Sequence, residues 1–265
     1  MKRFFALLIF LAATPAAFAK LEIANVQPAH GLLGPARISD DVFPLDEYVV
    51  RFQLTGVKLT TDGKTDCELA IRLVNAGGKA VVDTKAGLQR VLSLGGDAVT
   101  TFAVVTFPVA APAGEYKLTV TVRDRVASET ASFERTLTCK AAEFRILAPR
   151  FSHDPEGKLP AGTTGIAGES LYYRFKVIGY DKAKKVSLTM KAEVTDAAGK
   201  AVDGKPLVTN AETTDPDKLA GMLQANFSGT VALNRVGEFK LKITVEDNVA
   251  KKTATFEAPI KALAP

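Results

Sequence analysis

The chain holds two histidines, His30 and His153, and they stand 123 residues apart. An imidazole with carboxylates nearby is the usual start of a metal or ligand site. Asp40 and Asp41 follow the first histidine, and Asp154 adjoins the second. One histidine per half falls short of the three or four ligands that zinc or copper needs. The surroundings also differ, "QPAHGLL" against "RFSHDPE". The pair therefore reads first as a loop position copied along with a duplicated unit. His30 and His153 stand as weak ligand candidates, for carbohydrate or metal. No catalytic residue, metal ligand set or cofactor is assigned.

Other reactive side chains are few. Hydrolase signatures are missing: there is no G-x-S-x-G, no H-E-x-x-H and no P-loop. "GES" at 168–170 leads into a strand pattern, where a nucleophile elbow leads into a helix. The expectation is a protein without catalysis. Cys67 and Cys139 make an even count, which in an exported protein raises the question of a disulfide. Acidic stretches at 39–47 and 213–221 lack the spacing of a recognised calcium loop. "NFS" at 226–228 fits a glycosylation acceptor but falls within a strand pattern.

Export itself is read from the first residues. Lys2 and Arg3 precede an apolar run from Phe4 to Ala13, then Pro15 and the small-residue pattern Ala17-Phe18-Ala19. This is the layout of a secretory signal peptide covering residues 1–19. The run is half of the ~20 residues a spanning helix needs. The expected localisation is periplasmic or extracellular, with no membrane span after cleavage. Residues 20–143 then carry 14 basic and 15 acidic residues, and residues 144–265 carry 18 and 14. So small and mixed a charge lacks the footprint of a nucleic-acid binder. Lys182, Lys184, Lys185, Lys240, Lys242, Lys251 and Lys252 nonetheless make the second half more basic. They serve either to guard strand edges or to attract an anionic polymer.

These side chains must be positioned by a repeated scaffold. Residues 114–138 and 237–261 share 13 of 25 positions without a gap, again at an offset of 123. A period that long is a domain and not a solenoid unit. Within it, Tyr116, Leu118, Val120 and Val122 alternate with polar residues, as do Phe239, Leu241, Ile243 and Val245. Strict alternation gives a strand with one buried and one wet face. Burying four such side chains yields about 6–12 kcal/mol, and ordering the backbone of the strand costs a similar amount. The strand therefore needs a second sheet over it. In the first half the patterns predict strands at 21–27, 47–56, 67–75, 79–83, 98–108, 114–123 and 129–138. In the second they predict 144–148, 170–180, 185–195, 200–203, 223–233, 237–246 and 252–261. Seven short strands in each half, separated by turn signals such as "NAGGK" and "DNVAK", read as a β-sandwich.

"PAGEYKLTVTVRD" and "RVGEFKLKITVED" resemble the penultimate strand and hairpin turn of bacterial immunoglobulin-like domains. With "GLLGPARISDD", "SLGGDAV" and "SHDPEGKLPAG", the chain resembles an uncharacterised family of secreted bacterial proteins that carry two such domains. The resemblance implies an all-β fold of two tandem sandwiches, residues 20–143 and 144–265. Tyr116 could make a tyrosine-corner hydrogen bond, whereas Phe239 lacks the hydroxyl, so that corner is either dispensable in the second copy or absent in both. The resemblance also implies that the strands bearing Cys67 and Cys139 run parallel with the cysteines at opposite ends, which argues against a bond. The function expected is a non-catalytic binding or spacer module of the cell envelope, contacting a protein or polymer partner and not nucleic acid. The alternative is a small-ligand carrier using the loops near His30 and His153.

Overall fold

The computed structural model describes residues 20–202 and 205–265. The signal-peptide reading at 1–19 lies outside them. The first half contains β1 (Glu22–Ala29), β2 (Asp41–Val42), β3 (Glu47–Thr55), β4 (Cys67–Asn75), β5 (Ala80–Leu88), β6 (Val99–Thr106), β7 (Gly114–Asp124) and β8 (Glu129–Cys139). One sheet is ordered β1-β3-β6 and the other β2-β8-β7-β4-β5. The second half contains β9 (Arg145–Ser152), β10 (Pro160–Ala161), β11 (Thr164–Ile166), β12 (Ser170–Ile178), β13 (Val186–Asp196), β14 (Leu207–Thr213), a short helix α1 (Pro216–Gly221), β15 (Ala225–Ala232), β16 (Gly237–Asp247) and β17 (Lys252–Leu263). Its sheets are ordered β10-β9-β12-β15 and β11-β17-β16-β13-β14. The architecture is thus two immunoglobulin-like β-sandwiches in tandem.

Each sandwich has its own core. In the first, Tyr48, Phe52 and Leu54 of one sheet meet Leu73, Leu118, Val120 and Leu137 of the other. In the second, Tyr173, Phe175 and Phe227 meet Leu188, Met190, Leu241 and Ile243. The alternating strands β7 and β16 lie in the middle of their sheets, where two neighbours satisfy their backbone and the apolar face is covered. Gly114 and Gly237 start them with φ of 142° and 149°, a conformation that only glycine enters readily.

The tyrosine corner is present in one copy. Tyr116 Oη donates to the Pro112 carbonyl at 3.0 Å, and its ring packs edge-on to Phe107. In the second copy the Arg235 guanidinium lies 5.1 Å from the Phe239 ring centroid, a cation–π contact in place of the hydroxyl bond.

Several elements depart from the sequence reading. Short edge strands β2, β10 and β11 carry too few residues to show alternation, and β5 extends five residues past the expected 79–83. The strand expected at 200–203 is reduced to a lone bridge between Thr195 and Ala201, with residue 203 outside the described residues. Pairing resumes at Leu207, beyond Pro206, which has no N–H to give a ladder. The acidic stretch at 213–221 is largely helix: Asp215 caps α1 by accepting from the N–H groups of Asp217 and Lys218. No helix among the described residues is long and apolar enough to cross a membrane.

Candidate functional site: the junction of the two sandwiches

The two sandwiches meet. Phe43, Leu147, Ala148 and Ile178 form a small buried cluster of their own, with Leu45 packed against it. Phe43 and Leu45 come from the first half, the other three from the second. The Arg145 guanidinium sits 3.8 Å above the Phe43 ring. Arg150 of β9 bridges to Glu47 of β3 at 2.6 Å. Backbone on both sides of this contact enters the left-handed region, as it does at the equivalent positions of the other copy. Ala148 occupies a β-bulge at φ 47°, matching the bulge at Asn25 (φ 53°) in the first copy. Leu45 holds φ 69° where the second copy has Gly168 at φ 108°. A branched side chain in that region costs of order 1–3 kcal/mol. The cost is borne where the leucine side chain plugs the junction.

His30 belongs to this junction. It follows β1, and its N–H bonds the Pro35 carbonyl at 2.9 Å. Its ring packs edge-on to Phe256 of the second sandwich, with centroids 5.4 Å apart. Nδ1 is buried and without a hydrogen-bond partner. Burial first, and the Arg37 charge second, lower its pKa to about 4, so the ring is neutral at neutral pH. The cleft around it, about 540 Å³, is lined by Arg37, Phe43, Asp46, Arg145 and Phe256 among others.

His153 occupies the equivalent position in the second sandwich, with its N–H on the Leu159 carbonyl at 2.9 Å, but it is exposed. It follows the last residue of β9, whereas the cleft holding His30 draws on residues 144–149. The fold does not bring the histidines into one site. The nearby carboxylates are engaged structurally. Asp40 accepts from Tyr48 Oη and pairs with Arg135 at 2.9 Å. Asp41 pairs with Lys140 at 2.6 Å, and Asp154 caps its own loop through the N–H groups of Lys158 and Leu159. Among the described residues no three His, Cys, Asp or Glu side chains converge as a metal site would require.

The cysteines are both buried and unbonded. Cys67 pairs with Asp124 at one end of β7 and Cys139 with Gly114 at the other. Ten residues of strand separate them by roughly 33 Å, far beyond disulfide reach. Burial pushes the Cys67 thiol up to about 11 and raises Cys139 as well. Neither is a thiolate at neutral pH, the form a nucleophile or metal ligand needs.

The basic surface expected from the lysines of the second half is partly neutralised. Lys240 bridges Glu257 at 3.2 Å, as Lys117 bridges Glu134 in the first copy. Lys242 stands opposite Glu193 and Glu257. Positive charge also collects on the other sheet, where Arg150 is paired with Glu47. There Arg174 and Lys176 of β12 alternate with buried residues, and Arg150 is the direct cross-strand neighbour of Arg174. Sequence reasoning misses this trio because its members lie up to 26 positions apart in the chain and meet only through strand pairing.

No family model matches the chain, and no curated protein does. Solved structures similar to parts of it include red sea bream transglutaminase, at 8% identity and TM-score 0.27, covering 92% of this chain and 31% of that one. Another is Bacteroides uniformis β-glucuronidase, at 13% identity and TM-score 0.42, covering 82% and 26%. The chain therefore spans less than a third of the length of these structures.

Proposed function

We propose that this chain is a non-catalytic, exported binding or spacer module of the cell envelope, in which the paired sandwiches present their surfaces to a protein or polymer partner. The observation that carries it is the junction. A buried apolar cluster, an arginine over Phe43 and the Arg150–Glu47 bridge join two units into one presenting body. The most reactive side chains are meanwhile spent on structure or held neutral. The first nineteen residues support export, through their basic head, apolar run and small-residue end.

Cell fractionation after crosslinking is expected to find the protein in the envelope, joined to a discrete partner. Recovery from the cytosol, or no crosslinked species above background, would remove the reading. One observation favours a second reading, a small-ligand carrier: the buried, unpartnered Nδ1 of His30 beside a cleft of about 540 Å³. Titration calorimetry with divalent metals and neutral glycans on wild type and on His30→Ala/His153→Ala decides it. A heat present in the first and absent in the second supports the carrier, and equal heats end it.

A further inference from the structure

We propose that the outer face of the β9–β12–β15 sheet binds an anionic polymer, a glycan or related chain bearing repeated carboxylate or phosphate groups. The inference rests on the binding-module reading and names its partner's chemistry. Leu171, Tyr173, Phe175 and Val177 point into the core, so Tyr172, Arg174 and Lys176 line the opposite face. β15 adds Asn226, opposite Lys176, and Ser228, opposite Arg174. β9 adds Arg150 from the other side. Arg174 and Lys176 stand about 7 Å apart along the strand, and Arg150 lies roughly 5 Å across from Arg174. A hollow of about 410 Å³ runs over Arg150, Arg174, Lys176, Asn226 and Ser228. It adjoins a second, of about 350 Å³, that shares Arg150 and Arg174 and continues to Glu47 and Phe102 of the first sandwich.

The duplication supplies the control. At the same positions the first copy has Gln27 for Arg150 and Gln53 for Lys176. It has Phe102 for Ser228 and Thr100 for Asn226. Arg51, the counterpart of Arg174, is satisfied there by a bond from its Nη2 to Gln27 Oε1 at 2.9 Å. In the second copy that bond is replaced by two guanidinium groups facing each other across strands, an arrangement that costs stability. Three positive charges then share a face whose nearest ion-pair partner is the single carboxylate of Glu47. Arg174 donates to the Pro155 carbonyl, a neutral acceptor, and feels the adjacent Asp154 carboxylate only through space, since that carboxylate's hydrogen bonds come from backbone N–H groups. Of these substitutions only Arg150 gains an ion-pair partner, Glu47 across the junction, whereas an oxyanion chain gains charge-assisted bonds from two forked guanidinium groups and an ammonium, flanked by amide and hydroxyl donors. The charges spread over two strands on an open face, which suits a polymer with repeated anions better than one small ion. Tyr172 is the one aromatic ring among them. Nucleic-acid binding would call for several stacking platforms.

The test measures binding of the full chain to polygalacturonate (carboxylate), inorganic polyphosphate (phosphate), a neutral glucan and a single-stranded DNA oligomer at low ionic strength. Arg150→Gln/Lys176→Gln installs the residues the first copy already carries. Because it also removes the Arg150–Glu47 bridge, circular dichroism checks the fold and small-angle scattering checks that the sandwiches keep their mutual angle. Lys176→Gln alone, which leaves the bridge in place, should show part of the loss. Lys240→Gln/Lys242→Gln removes the same charge from the opposite sheet. The expected result is binding to one or both anionic polymers, stronger than to DNA and absent for the glucan. It should weaken roughly tenfold in the first double variant and less than twofold in the second. Which polymer binds separates the carboxylate source from the phosphate source. Equal losses in both double variants, preference for DNA, or no polyanion binding by the wild type would overturn the proposal. A specific envelope crosslink that survives in the Arg150→Gln/Lys176→Gln variant would leave the module reading standing and remove this face from it.

Discussion

Asp124→Ala is expected to lower the unfolding free energy of the first sandwich by about 3–5 kcal/mol. Asp124 is fully buried at the end of β7. One carboxylate oxygen accepts from the N–H groups of Val126 and Ala127, at 2.8 and 3.1 Å, which closes the turn into β8. The other accepts from the Lys58 N–H at 2.8 Å, which ties in the chain after β3. Alanine takes the acceptor from all three donors at once, and each buried donor left unsatisfied costs about 1–3 kcal/mol. The upper part of that sum is softened by water reaching the turn. Asp124→Asn keeps one acceptor oxygen and should lose about half as much. The second copy repeats the device: Asp247 is buried and accepts from Asp181, Val249 and Ala250 at 2.8, 2.9 and 3.0 Å. Asp247→Ala should therefore destabilise the second sandwich to a similar degree. Since a domain's net stability is about 5–15 kcal/mol, either variant brings its half close to unfolding. Denaturant melts would show the midpoint falling. A change under about 1 kcal/mol for Asp124→Ala would refute the role given to the carboxylate.

The second large effect is acid loosening of the junction through His30. Its pKa in the native protein is about 4, against an ordinary 6.5. Above pH 6.5 the ring is neutral in folded and unfolded chains, and stability does not depend on it. Between 6.5 and 4 the unfolded or undocked ring takes up a proton that the docked ring refuses, so stability falls as pH drops. A tenfold difference in proton affinity between the two states is worth about 1.4 kcal/mol. Allowing for a ring that is only partly shielded from water, the loss by pH 4 is about 1–3 kcal/mol. His30→Leu keeps an apolar contact for Phe256 and cannot be protonated, so its stability should stay flat over that window. Denaturant midpoints and small-angle scattering from pH 7 to 4 would compare the two proteins. Parallel curves would show that His30 is not the acid-sensitive group.

The two predictions sit differently with respect to the sequence. The aspartates end the duplicated stretches "GEYKLTVTVRD" and "GEFKLKITVED", so their equivalence is legible without coordinates. Their three-way hydrogen bonding is not, because Lys58 and Asp181 are 66 residues away. His30 stands out in the chain for its symmetry with His153, and that symmetry does not hold in space. One ring is packed into the junction and the other faces solvent. The duplication copied the loop, but only the first sandwich has a neighbour covering it.

Taken alone, the chain of residues determined the strand-rich character, the two like units and the alternating faces of β7 and β16. These follow from alternation and from turn residues, which act over a few positions and can be read locally. Where the charges end up was decided by the tertiary structure. Lys240 is neutralised by Glu257, whereas Arg150 is set beside Arg174, because antiparallel register chooses which side chains face each other. The short edge strands are likewise settled by what packs against them, and a one-dimensional pattern carries no record of those neighbours.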